Sequence, residues 1–217
     1  MAKLDEVTRS RQAKDPVLRE YDRLAARYDR RWSFYVDATI REMLRRLAPR
    51  PGDKLLDVGC GTGALLQALS LSFPGVVLAG VDLSSEMLGV AQSKIASSVK
   101  LRQGRAESLP FESKAFDIVV STSILHYLRV PDDALREMKR VLKPGGQVIV
   151  SDWCDDYLAC RLCDRFLRLF NRAHFKTYDS AECVELMKAA GFESIDVERF
   201  KISWLWGLMT ASGTKPV

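Results

Sequence analysis

The chain has 217 residues, 47% of them hydrophobic, and a formal net charge of +5. That is enough for one sizeable core and implies a single domain over residues 1–217. No apolar stretch reaches the roughly 18 residues of a membrane span, the opening Met-Ala-Lys-Leu-Asp-Glu is no secretory signal, and five cysteines, an odd number, read as reduced thiols rather than a disulfide framework, so a cytoplasmic protein is expected.

Much of the positive surplus lies on Arg9, Arg11, Lys14, Arg30, Arg31, Arg41, Arg45, Arg46 and Arg50. These are spread along the amino-terminal quarter rather than packed into a tail. They imply solvated helix faces and no nucleic-acid partner, with weak peripheral contact to anionic membrane left open.

Residues 1–15 are polar and expected to be frayed. Residues 16–48 read as two helices. Pro16 suits a helix start, and Leu18, Tyr21, Leu24, Ala25 and Tyr28 recur at helical spacing. Such a stripe either packs on the core or covers a ligand, and tyrosine supplies a flat face and one hydroxyl for the second task. The second helix, about Phe34 to Leu47, presents Val36, Ile40, Met43, Leu44 and Leu47 on one face and ends at Pro49 and Pro51-Gly52.

Lys54-Leu55-Leu56 opens a buried strand that runs into Asp57-Val-Gly-Cys-Gly-Thr-Gly63 and then a helix from Ala64. Glycines at 59, 61 and 63 let the backbone turn sharply and let a ligand lie against it. Gly59, Gly61 and Ala64 also satisfy the dinucleotide fingerprint, with Asp82 roughly 20 positions on, where a ribose-binding acid belongs. Asp57 before the first glycine, the alternate-glycine spacing, and the lack of a region suited to a hydride acceptor favour a different nucleotide. Val76 to Val81 forms the second strand. Asp82 at its tip can accept both ribose hydroxyls, Ser84 can cap the next helix, and Leu83 and Met87 can sandwich a base or fill the core.

A third strand, Val99 to Gln103, leads to Gly104-Arg-Ala-Glu-Ser-Leu-Pro-Phe111. Phe116 to Ser121 is the fourth strand, and in an open parallel sheet Gly59 and Ser121 lie at the carboxyl ends where ligands bind. His126 follows; imidazole suits a general base at neutral pH, and a structural role competes with that reading. Pro131 to Leu142 is a helix, Gln147 to Ser151 the fifth strand, and residues 153–175 an amphipathic insert placed to cap the site. Its Cys154, Cys160 and Cys163 serve either as small hydrophobes or as ligands for a soft centre. Asp179 to Ala190 is a last helix, and Glu193 to Phe200 with Ile202 to Thr210 an antiparallel strand pair.

In four segments the chain resembles the class I S-adenosylmethionine-dependent methyltransferases, most closely the small-molecule type of ubiquinone and menaquinone biosynthesis. They are the D-x-G-x-G-x-G run at Asp57, Tyr21-Asp-x-x-Ala-x-x-Tyr28-Asp29, Gly104-Arg-Ala-x-x-Leu-Pro-Phe111, and Leu142-Lys-Pro-Gly-Gly-x-Val148. The resemblance implies a Rossmann-like three-layer α/β sandwich with a seven-stranded, mostly parallel sheet whose last strand pair is antiparallel. It implies S-adenosylmethionine as cofactor, held by Asp57, Gly59, Cys60, Gly61, Gly63, Asp82, Leu83, Met87, Ala106, Glu107, Ser121 and Tyr21, with no metal. Tyr28 and His126 are the candidates for a catalytic part. Arg105 stands where the family has an aspartate, so the adenine contact falls to the Ala106 backbone, to Glu107 or to water. The acceptor would be a small molecule: a quinol, lipid, amine or thiol. A cofactor-binding protein without turnover, a thiophilic enzyme using the insert cysteines, and a nicotinamide oxidoreductase are the alternatives.

Overall fold

A computed structural model describes residues 16–171, 173–203 and 206–217. The expectation of a frayed segment 1–15 and the inclusion of Trp204 in a strand fall outside these residues. Two helices open the chain, α1 (Pro16–Leu24) and, after a 3-10 turn at Ala25–Arg27, the single turn α2 (Tyr28–Arg31). Then follow α3 (Ser33–Arg46), β1 (Lys54–Val58), α4 (Ala64–Ser72), β2 (Val77–Asp82), α5 (Ser85–Lys94), β3 (Lys100–Gln103) and β4 (Phe116–Thr122). A 3-10 turn at Leu125–Tyr127 precedes α6 (Pro131–Val141), β5 (Leu142–Trp153), α7 (Leu158–Phe170), α8 (Ser180–Ala189), β6 (Glu193–Lys201) and β7 (Gly207–Thr214).

The strands make one seven-stranded sheet in the order β3-β2-β1-β4-β5-β7-β6. The first five pair in parallel, and β7 runs antiparallel to both β5 and β6. This is the three-layer sandwich the sequence implies. Alternation along each strand serves two cores. Leu55, Ile118, Val120 and Ile149 pack with Met43, Leu66 and Leu69 of α3 and α4. Leu56, Val119, Val148 and Val150 pack with Leu135, Met138 and Met187 of α6 and α8 on the other face. Strands buried on both faces read as continuous apolar runs, which is why β1, β2 and β4 were legible.

Two boundaries differ from expectation. β5 begins at Leu142 rather than Gln147, because Phe116 pairs with Leu142 before a register shift and the ladder continues through the Pro144-Gly145-Gly146 run. β7 begins at Gly207 rather than Ile202. The Ile202 and Ser203 amides bond the Trp206 carbonyl at 3.0 and 3.4 Å, and the Trp206 amide donates to Ser203 Oγ at 2.9 Å, closing a turn. The strand instead uses the small residues Ala211-Ser212-Gly213-Thr214, because a Cβ on Gly213 would sit 3.0 Å from Met187 Cε.

Chain order reverses between β1 and β4, which are neighbours although β2 and β3 intervene in sequence. The crevice beyond their carboxyl ends is where such sheets bind ligands.

Candidate active site

The glycine loop grows out of β1 at that crevice. The Gly59 and Cys60 amides donate to the Val81 carbonyl at 2.8 and 3.0 Å, stitching the loop to β2. Gly59 sits at φ +78°, and a Cβ there would lie 2.4 Å from Ile124 Cγ2, so the position is open to glycine alone. Gly63 occupies the left-handed region at the start of α4, and a Cβ on it would come within 2.9 Å of Ala91 Cβ. That glycine lets α4 approach α5.

Asp82 completes the loop. Its Oδ2 accepts the Gly61 amide at 2.8 Å and its Oδ1 the Ser84 amide at 2.9 Å. Each carboxylate oxygen keeps a further lone pair for a ligand hydroxyl. Burial raises its pKa and the backbone amides oppose that rise. Asp57 is 1% exposed, and its Oδ1 has no hydrogen-bond partner. Burial, and then the charge of Asp82, push its pKa up to about 8. An unpartnered buried carboxyl beside a second carboxylate is a site for a cation.

These groups line a cavity of about 390 Å3, within the range of small-ligand sites. Of the residues expected to hold cofactor, it brings together Asp57, Gly59, Cys60, Gly61, Asp82, Leu83, Met87, Ala106, Glu107 and Tyr21, with Tyr28 beside them. Gly63 is not in the wall. Neither is Ser121, whose hydroxyl is buried and donates to the Val58 carbonyl at 2.8 Å, bracing β4 against β1. Arg105 and Glu107 stand together at 3.5 Å on the rim.

The amino-terminal segment forms the roof, held down by its aspartates. Ser84 Oγ donates to Asp22 Oδ1 at 2.5 Å. Thr62 Oγ1 donates to Asp29 Oδ1 at 2.5 Å, and Lys94 pairs with Asp29 Oδ2. Ala25, 5% exposed, lies between the two latches. Tyr21 packs on Tyr28 at 5.8 Å and edge-on to Tyr127 at 5.4 Å between ring centroids. Burial pushes the Tyr28 hydroxyl up to about 12, and those of Tyr21, Tyr35 and Tyr127 well up too. All four phenols stay protonated at neutral pH.

Little in the sequence marks the far wall, made by Tyr35, Ser123, Ile124, Tyr127, Leu128, Arg129 and Phe175. Ser123 has φ +60°; its Oγ lies 2.6 Å from Tyr35 Oη, which also receives Trp153 Nε1–H at 3.1 Å. Backbone strain on a non-glycine residue at a cavity wall is a mark of functional constraint. Behind Tyr21, Tyr28, Tyr35 and Tyr127 is a side chamber of about 60 Å3 that also meets Trp32, His126 and Trp153. His126 lies in this chamber's wall rather than the main cavity. It is 2% exposed, its Nδ1 is 2.5 Å from Asp152 Oδ1, and its ring stacks on Trp153.

The insert cysteines stand apart from both spaces. Cys154 and Cys160 are buried and Cys163 is partly covered. Burial raises the first two thiols, Cys154 to about 12, and among the described residues no cluster of His, Cys, Asp and Glu is arranged to hold a metal. Nor, among them, is any helix long and apolar enough to cross a membrane.

Sheet order, glycine loop and crevice together define the Rossmann-like fold that class I methyltransferases have. Residues 56–150 match the family model described as Methyltransferase domain. Demethylmenaquinone methyltransferase of Staphylococcus aureus is 41% identical over 145 residues, which are 63% of this chain and 59% of that protein. The chain thus spans about three fifths of the length of the curated relatives it matches. A chain from the complex that contains the Haloferax volcanii Trm112 methyltransferase activator superposes with a TM-score of 0.78 at 23% identity, covering 91% of this chain and 98% of that one. A SAM-dependent methyltransferase from Thermotoga maritima superposes with a TM-score of 0.74 at 23% identity, covering 90% and 98%.

Proposed function

We propose that the chain binds S-adenosylmethionine and transfers its methyl group to a flat, electron-rich small molecule of the reduced-quinone type. The observation that carries the cofactor half is the pair of buried carboxyls in one cavity. Asp82 at the end of β2 has lone pairs for the two ribose hydroxyls. Asp57, with an unpartnered oxygen, suits the amino-acid ammonium, directly or through water. Leu83 and Met87 offer an apolar slot for the adenine, and the Ala106 backbone with Glu107 its polar edge. A nicotinamide dinucleotide brings an anionic pyrophosphate in place of the ammonium that Asp57 suits, so the cavity favours the cationic nucleotide.

S-adenosylmethionine supplies an activated methyl on a sulfonium, open to in-line attack. The chain's own part is alignment and exclusion of water. Tyr21 and Tyr28 line the cavity with aromatic rings, which suits a positive sulfur. Protonated phenols are donors rather than bases, so the acceptor's displaced proton leaves to water. A reduced quinone ring, ionised at one hydroxyl, needs no stronger base than that. His126 acts as a positioning residue: held by Asp152, it fixes Tyr127, whose ring centroid is 4.0 Å from its own. The quinol reading draws on the demethylmenaquinone methyltransferase likeness and on the aromatic far wall.

Calorimetric titration with S-adenosylmethionine, S-adenosylhomocysteine and NADH tests the cofactor half, and transfer of labelled methyl to a reduced naphthoquinone tests the acceptor. Saturable binding of the two sulfur nucleotides, lost in Asp82→Ala, is expected. Preference for NADH would refute the cofactor assignment. Binding without transfer to any quinol, amine or thiol would leave a cofactor-binding protein.

A further inference from the structure

Helix α7 carries an outer face that the fold does not use. Ten large hydrophobic side chains are exposed among the described residues, and five of them, Leu158, Leu162, Phe166, Leu169 and Phe170, lie on this one helix at 57–79% exposure. At 100° per residue they form a single continuous stripe. Phe166 and Phe170 stack on each other at 4.6 Å, in the open. The other exposed hydrophobics, such as Leu71 and Val130, belong to separate elements and need no explanation.

Charge says what the stripe meets. Arg161, Arg165 and Arg168 project along one flank of it and are all exposed. The helix's only acid, Asp164, is turned inward, where its Oδ1 takes His174 Nε2 at 2.8 Å and the Thr177 amide at 2.7 Å. Arg165 has no acid within ion-pair reach among the described residues. Arg161 pairs with Asp155 at 3.3 Å and Arg168 with Asp164 Oδ2 at 3.4 Å, contacts at exposed guanidinium groups for which a lipid phosphate can compete. An apolar stripe edged by three exposed arginines is complementary to a leaflet of anionic lipid, in which such a helix lies flat with its apolar side chains below the headgroups. Thirteen residues give about 20 Å of helix for that contact. The helix also leads to the site: Phe175, a few residues beyond its end, lines the main cavity.

We propose that α7 is an interfacial helix that docks the protein on anionic membrane, with its arginines on lipid phosphates. That docking brings the cavity to a lipid-dissolved acceptor rests on the methyl-transfer reading; the docking itself does not.

The test is flotation of the full chain with vesicles of phosphatidylcholine alone and of phosphatidylcholine with an equal part of phosphatidylglycerol. The wild-type chain is expected to float with the anionic vesicles, roughly a hundred-fold more than with the neutral ones, and to be released by high salt. Arg165→Gln is expected to weaken flotation about five-fold, and the triple variant Leu162→Ser, Phe166→Ser, Phe170→Ser to abolish it. A cooperative thermal unfolding transition reports whether each variant is folded; if the triple variant is not, Arg165→Gln decides. No flotation of the wild-type chain, or equal flotation on both vesicles, would overturn the proposal. So would a concentration-dependent dimer that the serines dissolve while vesicles bind nothing, which would assign the face to a second copy. Flotation without S-adenosylmethionine binding would refute the function above and leave the docking intact.

Discussion

Asp57→Asn is the substitution that most directly tests the charge balance of the cavity. Asp57 is buried, unpartnered on Oδ1 and pushed up to about 8, whereas an unfolded aspartate titrates near 3.9. Between about pH 3.9 and 8 the folded chain therefore holds a proton that the unfolded chain does not. Stability from this group is complete below about 3.9 and is lost as pH rises through about 8. Between pH 5 and 8 the loss approaches 4 kcal/mol at about 1.36 kcal/mol per pH unit, an order-of-magnitude figure. At about 2–4 °C per kcal/mol for a chain of this size, the Tm falls by roughly 10 °C over that interval. Asparagine keeps the shape and cannot ionise, so the variant's Tm should decline less over the same interval by that amount.

The same carboxyl makes cofactor binding a proton-releasing event. At pH 7 the free protein carries Asp57 mostly protonated, and a cation placed against it favours the ionised form. Titration of S-adenosylmethionine in two buffers of different ionisation heat should show release of nearly one proton at pH 7, dwindling above pH 9, and no release in Asp57→Asn, whose affinity should drop about ten-fold or more. Equal pH slopes of Tm for the two chains, or no proton released by the wild type, would show that Asp57 is already ionised in the free protein and would refute the reasoning.

The roof and the frame give further expectations. Asp29→Ala removes one acceptor from Thr62 and Lys94; with that carboxylate partly exposed, the loss is about 1 kcal/mol, read as a several-fold weaker S-adenosylmethionine affinity and faster proteolysis in the first helix. Gly59→Ala drives a Cβ into Ile124 at a positive φ, so it should cost more than about 2 kcal/mol in denaturant unfolding; Ile124→Ala added to it should recover only the steric part. Ser121→Ala loses one buried hydrogen bond, about 1 kcal/mol of stability, with cofactor affinity unchanged. His126→Asn should lower kcat without shifting the pH profile. A lost limb near neutral pH would make His126 a base instead of a positioning residue.

What could be read from the sequence followed from where backbone geometry is encoded. Gly59 and Gly61 are legible because a tight loop against a ligand tolerates little else, and Asp82 because the turn after β2 fixes its place. The tyrosines at 21 and 28 are legible as a stripe and the aspartates beside them as members of a motif, but the latches those aspartates make to Ser84 and Thr62 are not. Those partners lie more than 30 positions away in sequence, and no local pattern announces them. Ser123 and Phe175 were silent for the same reason: one is a serine strained by the end of β4, the other a single phenylalanine after a helix. The early start assigned to β7 has a different cause. Apolar Ile202 mimics a strand start, while the observed strand between β5 and β6 runs on to Gly213, where a Cβ would press on Met187 and Phe192.

The two halves of the cavity consequently differ in how freely they can change. The half proposed for the cofactor comprises β1, β2 and their loops, where Asp57 is buried within the sheet end and Gly59 and Asp82 are tied to it through backbone amides and carbonyls, so that altering one disturbs the core as well as the ligand. The half proposed for the acceptor comprises α1, the turn at Leu125–Tyr127 and the segment after α7, which are joined to their surroundings largely through side chains: Asp22 on Ser84, Asp29 on Thr62, Tyr35 on Ser123, Arg129 over the Phe175 ring at 4.4 Å, with the Phe175 and Lys176 amides on the His126 carbonyl as the backbone link. Such contacts can be exchanged at about a kcal/mol each without touching the fold. Exchanging residues 16–32 together with 153–178 for those of a relative with a different acceptor should therefore move acceptor preference while leaving the S-adenosylmethionine affinity within a few-fold. A chimera that loses the cofactor and the old acceptor alike would show that the two halves are mechanically one.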